Sequence, residues 1–172
     1  MDRDESVLMR LTRITKTFGM PPEKIDILNG SEFSITRGMT MAVVGASGIG
    51  KSTLLNIIGT LDRPDKGDVF FLGQNLLSLK DDQLAAFRNE RIGFVFQFHY
   101  LLQGFTAVEN VMIPGLIARK SKKMVENLAE NMLERVGLAD RYHHRVEDLS
   151  GGEQQRVAIA RALVMKPDML LA

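Results

Sequence analysis

The residues with the clearest chemical potential form one glycine-rich stretch, which fits the pattern G-x-x-x-x-G-K-[ST]. In this pattern, backbone N–H groups form an anion-binding nest, the lysine reaches the β- and γ-phosphates of a nucleotide, and the following hydroxyl binds Mg²⁺. The sequence therefore predicts a nucleotide site in which Lys51 supplies charge and Ser52 binds the metal. Its members are Gly45, Ala46, Ser47, Gly48, Ile49, Gly50, Lys51, Ser52 and Thr53.

Elements suited to such a loop flank it on both sides. Residues 39–44 form a short apolar run, which predicts a buried strand. From Lys51 onward the pattern predicts a helix, whose N-terminus would direct partial positive charge at the phosphates. The alternative is a glycine-rich turn that fits the pattern by chance. The strand–loop–helix context favours the nucleotide site over that alternative.

Composition limits the possible classes of protein. The chain has 172 residues, 45% of them hydrophobic, which is enough for one domain with a core. The 22 basic and 21 acidic residues nearly balance, so no nucleic-acid partner is indicated. Cysteine is absent, which excludes disulfides and thiolate metal sites. No apolar run is long enough to span a bilayer, so a role at a membrane would require a partner.

A second candidate phosphate site lies at the start of a later helix. It consists of Leu149, Ser150, Gly151, Gly152 and Glu153. Ser150 and Glu153 have the spacing of a capping box, which many helices use for stability alone. Such a cap needs no glycines, and each glycine inside a regular element costs about 0.5–1 kcal/mol. Bare N–H groups at a helix start would, however, let an anion approach closely.

Residues 149–163 resemble the signature motif and helix of ABC-type ATPases. The phosphate-binding loop upstream, and Gln97 at a strand end between the two, follow the order of that family. The resemblance implies that ATP and Mg²⁺ are the cofactors. It also implies a head-to-tail, two-fold dimer, in which the loop of one subunit and residues 149–153 of the other share one γ-phosphate.

The same resemblance implies roles for two further residues. Gln97 would bind Mg²⁺ and contact the attacking water, which makes it a catalytic residue beside Lys51. Phe18 would stack on adenine. Each has a simpler alternative, because a glutamine at a strand end is usually solvated and a single aromatic residue usually packs.

A finer resemblance surrounds Gln97. Residues 94–102 and 105–111 resemble the lipoprotein-releasing (LolD-type) branch, whereas the macrolide-exporter and cell-division branches diverge more there. In the family, this segment receives a helix from a transmembrane permease subunit, which implies a partner-binding region at residues 97–111. The implied protein is an ATP-binding subunit that couples ATP hydrolysis to movement of membrane partners for lipoprotein release. It would be cytoplasmic and peripheral on the inner face of the cell membrane.

The elements and the resemblance together predict an α/β fold. It is a P-loop NTPase core of ABC type with an antiparallel β subdomain and an inserted helical subdomain. The expected division is an ATP-binding core at residues 1–97, a helical subdomain at 98–148, and the signature helix with the start of a core strand at 149–172. Pro114 and Gly115 are expected to interrupt a helix that starts at Ala107. Another helix is expected over 122–136, with Gly137 as its stop.

In the family, the apolar run at residues 169–171 is followed by an aspartate, a glutamate that polarises water, and later a switch histidine. These positions fall after Ala172, so the C-terminal part of the core and the general base are expected to be absent. The expectation for the 172-residue chain is weak nucleotide binding and little hydrolysis. One alternative is a hydrolysis-deficient, non-catalytic regulator. A DNA-repair ATPase is disfavoured, because the two motifs lie too close for a long coiled coil between them.

Overall fold

The computed structural model describes residues 6–19 and 25–172. The chain divides into two compact units, Met1–Leu84 and Ala85–Ala172. Of the predicted loop at residues 18–24, residues 20–24 lie outside the described part. None of the helices in the described ranges is both long and apolar enough to span a bilayer. The expected division at residues 97 and 148 stays a prediction.

The first unit contains a four-stranded antiparallel sheet with the order β2-β1-β3-β4. Its strands are β1 (Val7–Phe18), β2 (Ile25–Thr36), β3 (Lys66–Phe71) and β4 (Gln74–Asn75). In β1, Met9 and Leu11 are almost fully buried, because alternate side chains point to one face, and Ile14 is buried after an irregular step in the strand that follows Leu11. The predicted antiparallel sheet is therefore present.

A bulge in β1 explains one glycine of β3. Arg13 has φ 51°, and the register between β1 and β3 shifts between Thr12 and Thr15. The backbone of β1 comes so close here that a Cβ on Gly67 would lie 2.5 Å from the carbonyl oxygens of Thr12 and Arg13. Only glycine fits this approach.

The expectation of a buried strand before the phosphate-binding loop is wrong. Residues 39–45 form no strand, and Met39, Met41 and Val44 are exposed, Val44 by 85%. The physical reason is that a parallel strand is buried by neighbours on both sides. None of the described strands pairs with this run. Helix α1 (Lys51–Ile58) does form as predicted, and Ile57 and Ile58 on it are buried.

The second unit packs three helices around one apolar core. They are α3 (Ala107–Ile117), α4 (Lys122–Arg135) and α5 (Gly151–Leu163). Val111 of α3, Val125 and Leu133 of α4, and Val157 of α5 are fully buried in this core. Helix α2 (Asp81–Arg91) contains the boundary between the units.

The expectation that Pro114 and Gly115 interrupt α3 is also wrong, because the helix continues through both residues. Proline removes one N–H donor, but its own carbonyl oxygen still accepts bonds from Ala118 N (3.1 Å) and Asn89 Nδ2 (2.9 Å). Gly115 allows α4 to approach, since a Cβ there would lie 2.7 Å from both Cγ atoms of Val125. Tertiary packing outweighs the local signal.

The end of α4 follows the sequence signals. Gly137 has φ 73°, and the N–H groups of Gly137 and Leu138 donate to the carbonyl oxygens of Glu134 and Leu133, which is a Schellman motif. On the same helix, Met124 is half exposed although it is apolar.

A short parallel pair completes the second unit. It joins β5 (Ile92–Phe94) to β6 (Met169–Leu171). Helix α5 packs directly on β5, because a Cβ on Gly93 would lie 2.5 Å from the carbonyl oxygen of Ala162. This contact places the helix that starts at Ser150 beside the strand that leads to Gln97.

Candidate functional site

The phosphate-binding loop owes its shape to glycines. Gly50 is the residue before α1 and has φ 104°, and Gly48 has φ 81°. Both values lie in the region that side-chain-bearing residues rarely adopt. At Gly50 space is lacking too, since a Cβ would lie 2.5 Å from Cγ2 of Ile27 on β2. Ile27 on β2 therefore leaves no room for a side chain at position 50, and only glycine fits before α1.

The start of α1 offers unpartnered donors. No side chain caps this helix, and its first turn contains no acidic residue. The first N–H groups of a helix have no intrahelical acceptor, and the helix dipole adds partial positive charge at the same place. Because Gly50 brings no side chain, an anion can approach these groups closely. The loop can thus bind phosphate.

Lys51 is turned back onto the loop. Its Nζ donates to the carbonyl oxygens of Gly45 (2.9 Å) and Ala46 (2.7 Å). These two bonds hold the ammonium group above the loop, on the residues that begin the motif. A bound phosphate would offer Nζ a charged acceptor in place of neutral carbonyls, and such bonds are roughly twice as strong.

Ser52 and Thr53 occupy the first turn of α1, with the Ser52 side chain exposed. Among the described residues, no cluster of three or more His, Cys, Asp or Glu side chains could bind a metal ion. Mg²⁺ in nucleotide sites takes few protein ligands besides the phosphates and water. A hydroxyl at the position of Ser52 is compatible with that mode of binding.

The second candidate site forms the capping box that its sequence predicts. Glu153 Oε2 accepts bonds from Ser150 N (2.9 Å) and Ser150 Oγ (2.7 Å), and the Arg141 Nε donates to Glu153 Oε1 at 3.1 Å. The Ser150 hydroxyl, followed by its N–H group and by Arg141, lowers the pKa of Glu153 to about 2. The carboxylate is therefore charged throughout the physiological range.

The two glycines of this motif are not required by the chain itself. Both have ordinary helical backbone, a Cβ on Gly151 would meet nothing within 4 Å, and one on Gly152 would meet only the guanidinium of Arg156 at 3.8 Å. Nothing in the described part of the chain fills the space over them. Gln154 holds the segment that precedes α5, because its Nε2 donates to the carbonyl oxygens of Val146 (2.9 Å) and Leu149 (3.0 Å).

Gln97 lies in a turn after β5, with its side chain exposed. Around it stands a group of aromatic residues, which we call the aromatic loop: Phe94, Phe96, Phe98 and Tyr100. Phe94 and Phe96 stack with centroids 5.5 Å apart, and Tyr100 contacts Phe96 and Phe98 edge to face. Phe98 is 76% exposed and Tyr100 62% exposed, so much of this apolar surface faces outward.

Asn110 links the segment after the aromatic loop to α3. Its side chain is fully buried and makes three hydrogen bonds, accepting from Leu102 N (2.8 Å) and donating to the carbonyl oxygens of Leu102 (3.2 Å) and Thr106 (3.1 Å). Thr106 and Glu109 form a capping box at the start of α3. The backbone N–H and the hydroxyl of Thr106 lower the pKa of Glu109.

Phe18 ends β1 with 48% of its surface exposed. The Lys16 Nζ lies 5.5 Å from the centroid of its ring and is held by Asp62 Oδ1 (2.8 Å) and the Arg63 carbonyl oxygen (2.7 Å). One side of the ring is thus near a fixed cation. Phe18 and the phosphate-binding loop belong to the first unit, whereas Gln97 and residues 149–153 belong to the second.

Sequence reasoning missed the residues that hold the candidate groups in place. They are Lys16, Asn110, Arg141, Gln154 and Arg161. Their partners lie elsewhere in the chain or on backbone carbonyls, so no local spacing reveals them. Asn110 alone had a signal, a polar residue on an otherwise apolar helix face.

The comparisons with known proteins agree on one family. The sequence profile of the ABC transporter family matches residues 28–172. The chain is 53% identical over 167 residues to the lipoprotein-releasing system ATP-binding protein LolD of Geobacter metallireducens, which covers 97% of this chain and 74% of that protein. It is 51% identical over 164 residues to the LolD protein of Bdellovibrio bacteriovorus, covering 95% and 74%.

Solved structures give the same result for the fold. The chain is similar to the dimeric, post-hydrolysis state of the ATP-binding cassette MJ0796 bound to ADP and Pi, with a TM-score of 0.86 and 40% identity. The match covers 96% of this chain and 73% of that one. The predicted α/β cassette fold is confirmed by these matches.

Proposed function

We propose that this chain, which belongs to the ABC transporter family, is the ATP-binding subunit of a lipoprotein-releasing transporter. The members of this family are ATPases. This chain would couple ATP binding and hydrolysis to movement of transmembrane partners. The observation that carries the proposal is the uncapped, glycine-shaped start of α1 in the same chain as the glycine-rich start of α5. One chain then carries two separate candidate sites for phosphate.

ATP would bind at the phosphate-binding loop. The N–H groups of the loop and of the first turn of α1 would bind the phosphates, and Lys51 would exchange its two carbonyl acceptors for them. Mg²⁺, held by Ser52 and Gln97, would neutralise phosphate charge. Phe18 would offer the exposed face of its ring to the adenine base, while Lys16 stays fixed beside it.

The motif at residues 149–153 would act on the nucleotide of a second copy. Its glycines leave open space that none of the described residues fills, and an anion from outside would fit there. MJ0796 in its solved structures is a dimer. A two-fold arrangement would give two such shared sites, because each subunit contributes the same pair of surfaces.

Transmembrane permease subunits would bind at residues 97–111. The exposed rings of Phe98 and Tyr100 form an apolar surface there, which supports this assignment, because exposed apolar patches often bind partners. Binding at this surface would place the chain on the inner face of the cell membrane as a peripheral subunit. Lipoprotein release, rather than export of a small molecule or cell division, is supported by the names of relatives that are 53% and 51% identical over the aligned residues.

The first experiment tests ATP binding. Lys51→Ala is expected to weaken binding of a fluorescent ATP analogue by at least about tenfold, which corresponds to about 1.4 kcal/mol. Lys66→Ala, at an exposed position on β3, is the matched control and should bind as the unaltered chain does. Equal binding by both variants would refute the assignment of Lys51.

The second experiment tests the shared site. Ser150→Arg should leave nucleotide binding by the monomer intact and abolish the ATP-dependent dimer, measured by light scattering. Ser121→Arg makes the same change before α4, where the serine side chain forms no cap, and should not affect the dimer. Ser150→Ala removes the cap without adding bulk and separates loss of stability from blockage. Weaker nucleotide binding by the Ser150→Arg monomer would contradict the proposal.

The third experiment tests the membrane partner. Phe98→Ala should reduce co-purification with the transmembrane subunits of a lipoprotein-releasing transporter, whereas Met124→Ala, at another exposed apolar position of the same unit, should not. If the chain binds these subunits and lowers the ATPase rate of their complex, the regulatory alternative is favoured instead. No binding to them by the unaltered chain would refute the lipoprotein-releasing assignment.

A further inference from the structure

Arg161, on α5, holds the aromatic loop by its backbone. Its Nη2 donates to the carbonyl oxygen of His99 at 2.6 Å, and its Nη1 donates to that of Tyr100 at 2.7 Å. The two nitrogens of one planar guanidinium thus bind two successive carbonyl groups. Arginine suits this geometry, because its donors are fixed in a fork, whereas a lysine ammonium is a single point.

The backbone that Arg161 binds is strained. His99 has φ 58° and Tyr100 has φ 45°, so two adjacent residues other than glycine occupy the left-handed region. Such a backbone conformation is unfavourable for a residue with a side chain, and it persists only where its surroundings fix it. Bonds from His99 N to the Phe96 carbonyl oxygen (2.9 Å) and from Tyr100 N to that of Phe98 (2.6 Å) tighten the same turn. The two bonds from Arg161 connect this turn to α5.

The guanidinium of Arg161 is partly buried. This burial lowers its pKa from the ordinary value. A charged group in such a place requires good hydrogen bonds in exchange for its lost hydration. The two short bonds to carbonyl oxygens supply them, so the contact is specific and not an incidental crossing of surface side chains.

The strained turn determines where the exposed rings point. Phe98 and Tyr100 are held edge to face with centroids 6.4 Å apart, and Tyr100 also contacts Phe96 at 5.3 Å. The residue next to Arg161 is also anchored, since Ala162 lies against Gly93 at the start of the same strand–loop segment. Helix α5 therefore contacts this segment at two successive points.

We propose that Arg161 is a positioning residue that fixes the aromatic loop in the shape its membrane partner binds and links that loop to the helix that begins at Ser150. The proposal rests on the proposed function for the roles of the loop and of Ser150. Docking of a partner on the loop would act on α5 through this pair of bonds. In the reverse direction, an anion at the start of α5 would stiffen the loop.

The chain offers a direct probe, because it contains no tryptophan and only two tyrosines, Tyr100 and Tyr142. With Tyr142→Phe as background and fluorotyrosine incorporated, a single ¹⁹F resonance reports on Tyr100. Arg161→Met should move this resonance toward the position of free fluorotyrosine, while far-UV circular dichroism keeps its helical signal. Arg135→Met, at an exposed position in the last turn of α4, is the matched control and should leave the resonance in place.

Arg161→Lys serves as the conservative variant, and it decides the question if Arg161→Met does not fold. A lysine can bond one carbonyl oxygen but lacks the fork, so the shift should be smaller than in Arg161→Met and still present. An unchanged Tyr100 resonance in the folded variant would overturn the proposal. A shift that appears only together with general loss of helical signal would overturn it as well.

The closing measurement is binding of the full chain to the transmembrane subunits in detergent. Arg161→Met should weaken this binding by about tenfold or more and leave binding of a fluorescent ATP analogue unchanged, while Arg135→Met changes neither. If the unaltered chain binds and Arg161→Met binds equally well, the inference about Arg161 fails. If the unaltered chain does not bind at all, the proposed function fails, whatever the ¹⁹F result.

Discussion

Arg141 and Glu153 form an ion pair in which Nε of the arginine lies 3.1 Å from Oε1 of the glutamate. The other oxygen of the same carboxylate binds both the N–H group and the hydroxyl of Ser150. One carboxylate thereby joins the 3₁₀ turn that contains Arg141 to the start of α5. Both oxygens of this carboxylate, which lies beside the two glycines, therefore accept hydrogen bonds within the chain.

This arrangement predicts that two different substitutions raise the pKa of Glu153. Ser150→Ala removes the hydroxyl that is the largest single cause of the lowered pKa, and Arg141→Met removes a hydrogen bond and a nearby positive charge, so each should raise the pKa from about 2. A titration of the ¹³Cδ chemical shift of Glu153 measures both. An unchanged pKa in either variant would contradict the role of the contact that it removes.

The lowered pKa also predicts a pH window for stability. A carboxylate with a depressed pKa stabilises the fold above its unfolded value, here 4.5, and this contribution disappears as the pH falls toward about 2. Glu153→Gln should therefore be less stable than the unaltered chain at pH 7, and the difference should shrink below pH 4.5. Melting temperatures of the two proteins across that range test this, and a constant difference would contradict it.

Gly50→Ala should destabilise the nucleotide-free chain more than Gly48→Ala. Both alanines would take a positive φ, which costs about 1–3 kcal/mol. Only at position 50 would the new Cβ also clash, with Cγ2 of Ile27 at 2.5 Å, which adds a further penalty of about 1–3 kcal/mol. Denaturant unfolding of the two variants gives the comparison. Equal losses would show that Ile27 moves aside freely.

Gly115→Ala should destabilise the second unit, although alanine favours a helix by about 1 kcal/mol over glycine. The new Cβ would lie 2.7 Å from both Cγ atoms of Val125, and removal of those atoms by Val125→Ala should relieve the clash. We expect a coupling of about 1–3 kcal/mol between the two changes in a double-mutant cycle. Simple additivity would mean that α3 and α4 separate instead.

Asn110→Ala should lower the free energy of unfolding by about 1–3 kcal/mol or more. It removes three hydrogen bonds of a fully buried side chain. The N–H group of Leu102 and the carbonyl oxygens of Leu102 and Thr106 then lose their bonds to Asn110. Asn131→Ala, whose amide bonds an exposed carbonyl on α4, is the control and should have little effect. Midpoints of urea unfolding measure both. Equal, small effects would show that water replaces the Asn110 bonds.

The sequence predicted the elements whose signals are local. The capping box of Ser150 and Glu153, the stop of α4 at Gly137 and the helix that begins at Lys51 all form where expected. Each of these depends on hydrogen bonds or backbone angles within a few neighbouring residues, so short spacing is enough to specify it.

The predictions that failed depend on distant partners. An apolar run such as residues 39–44 has the composition of a buried strand, but burial needs neighbouring strands that the run itself does not specify. Likewise, the local preference of Pro114 to end a helix is smaller than the packing gained when α3 continues beside α4. In both cases tertiary contacts decide, and they cannot be read from spacing.

The sequence by itself determined the chemistry of this protein, because phosphate binding needs particular glycines, a lysine and a hydroxyl at fixed short intervals. It determined the family for the same reason. Only the tertiary structure decided how the groups are held: Ile27 against Gly50, Arg141 on Glu153, and Arg161 across the carbonyl groups of His99 and Tyr100. These contacts join residues far apart in the chain, and the fold alone brings their atoms within bonding distance.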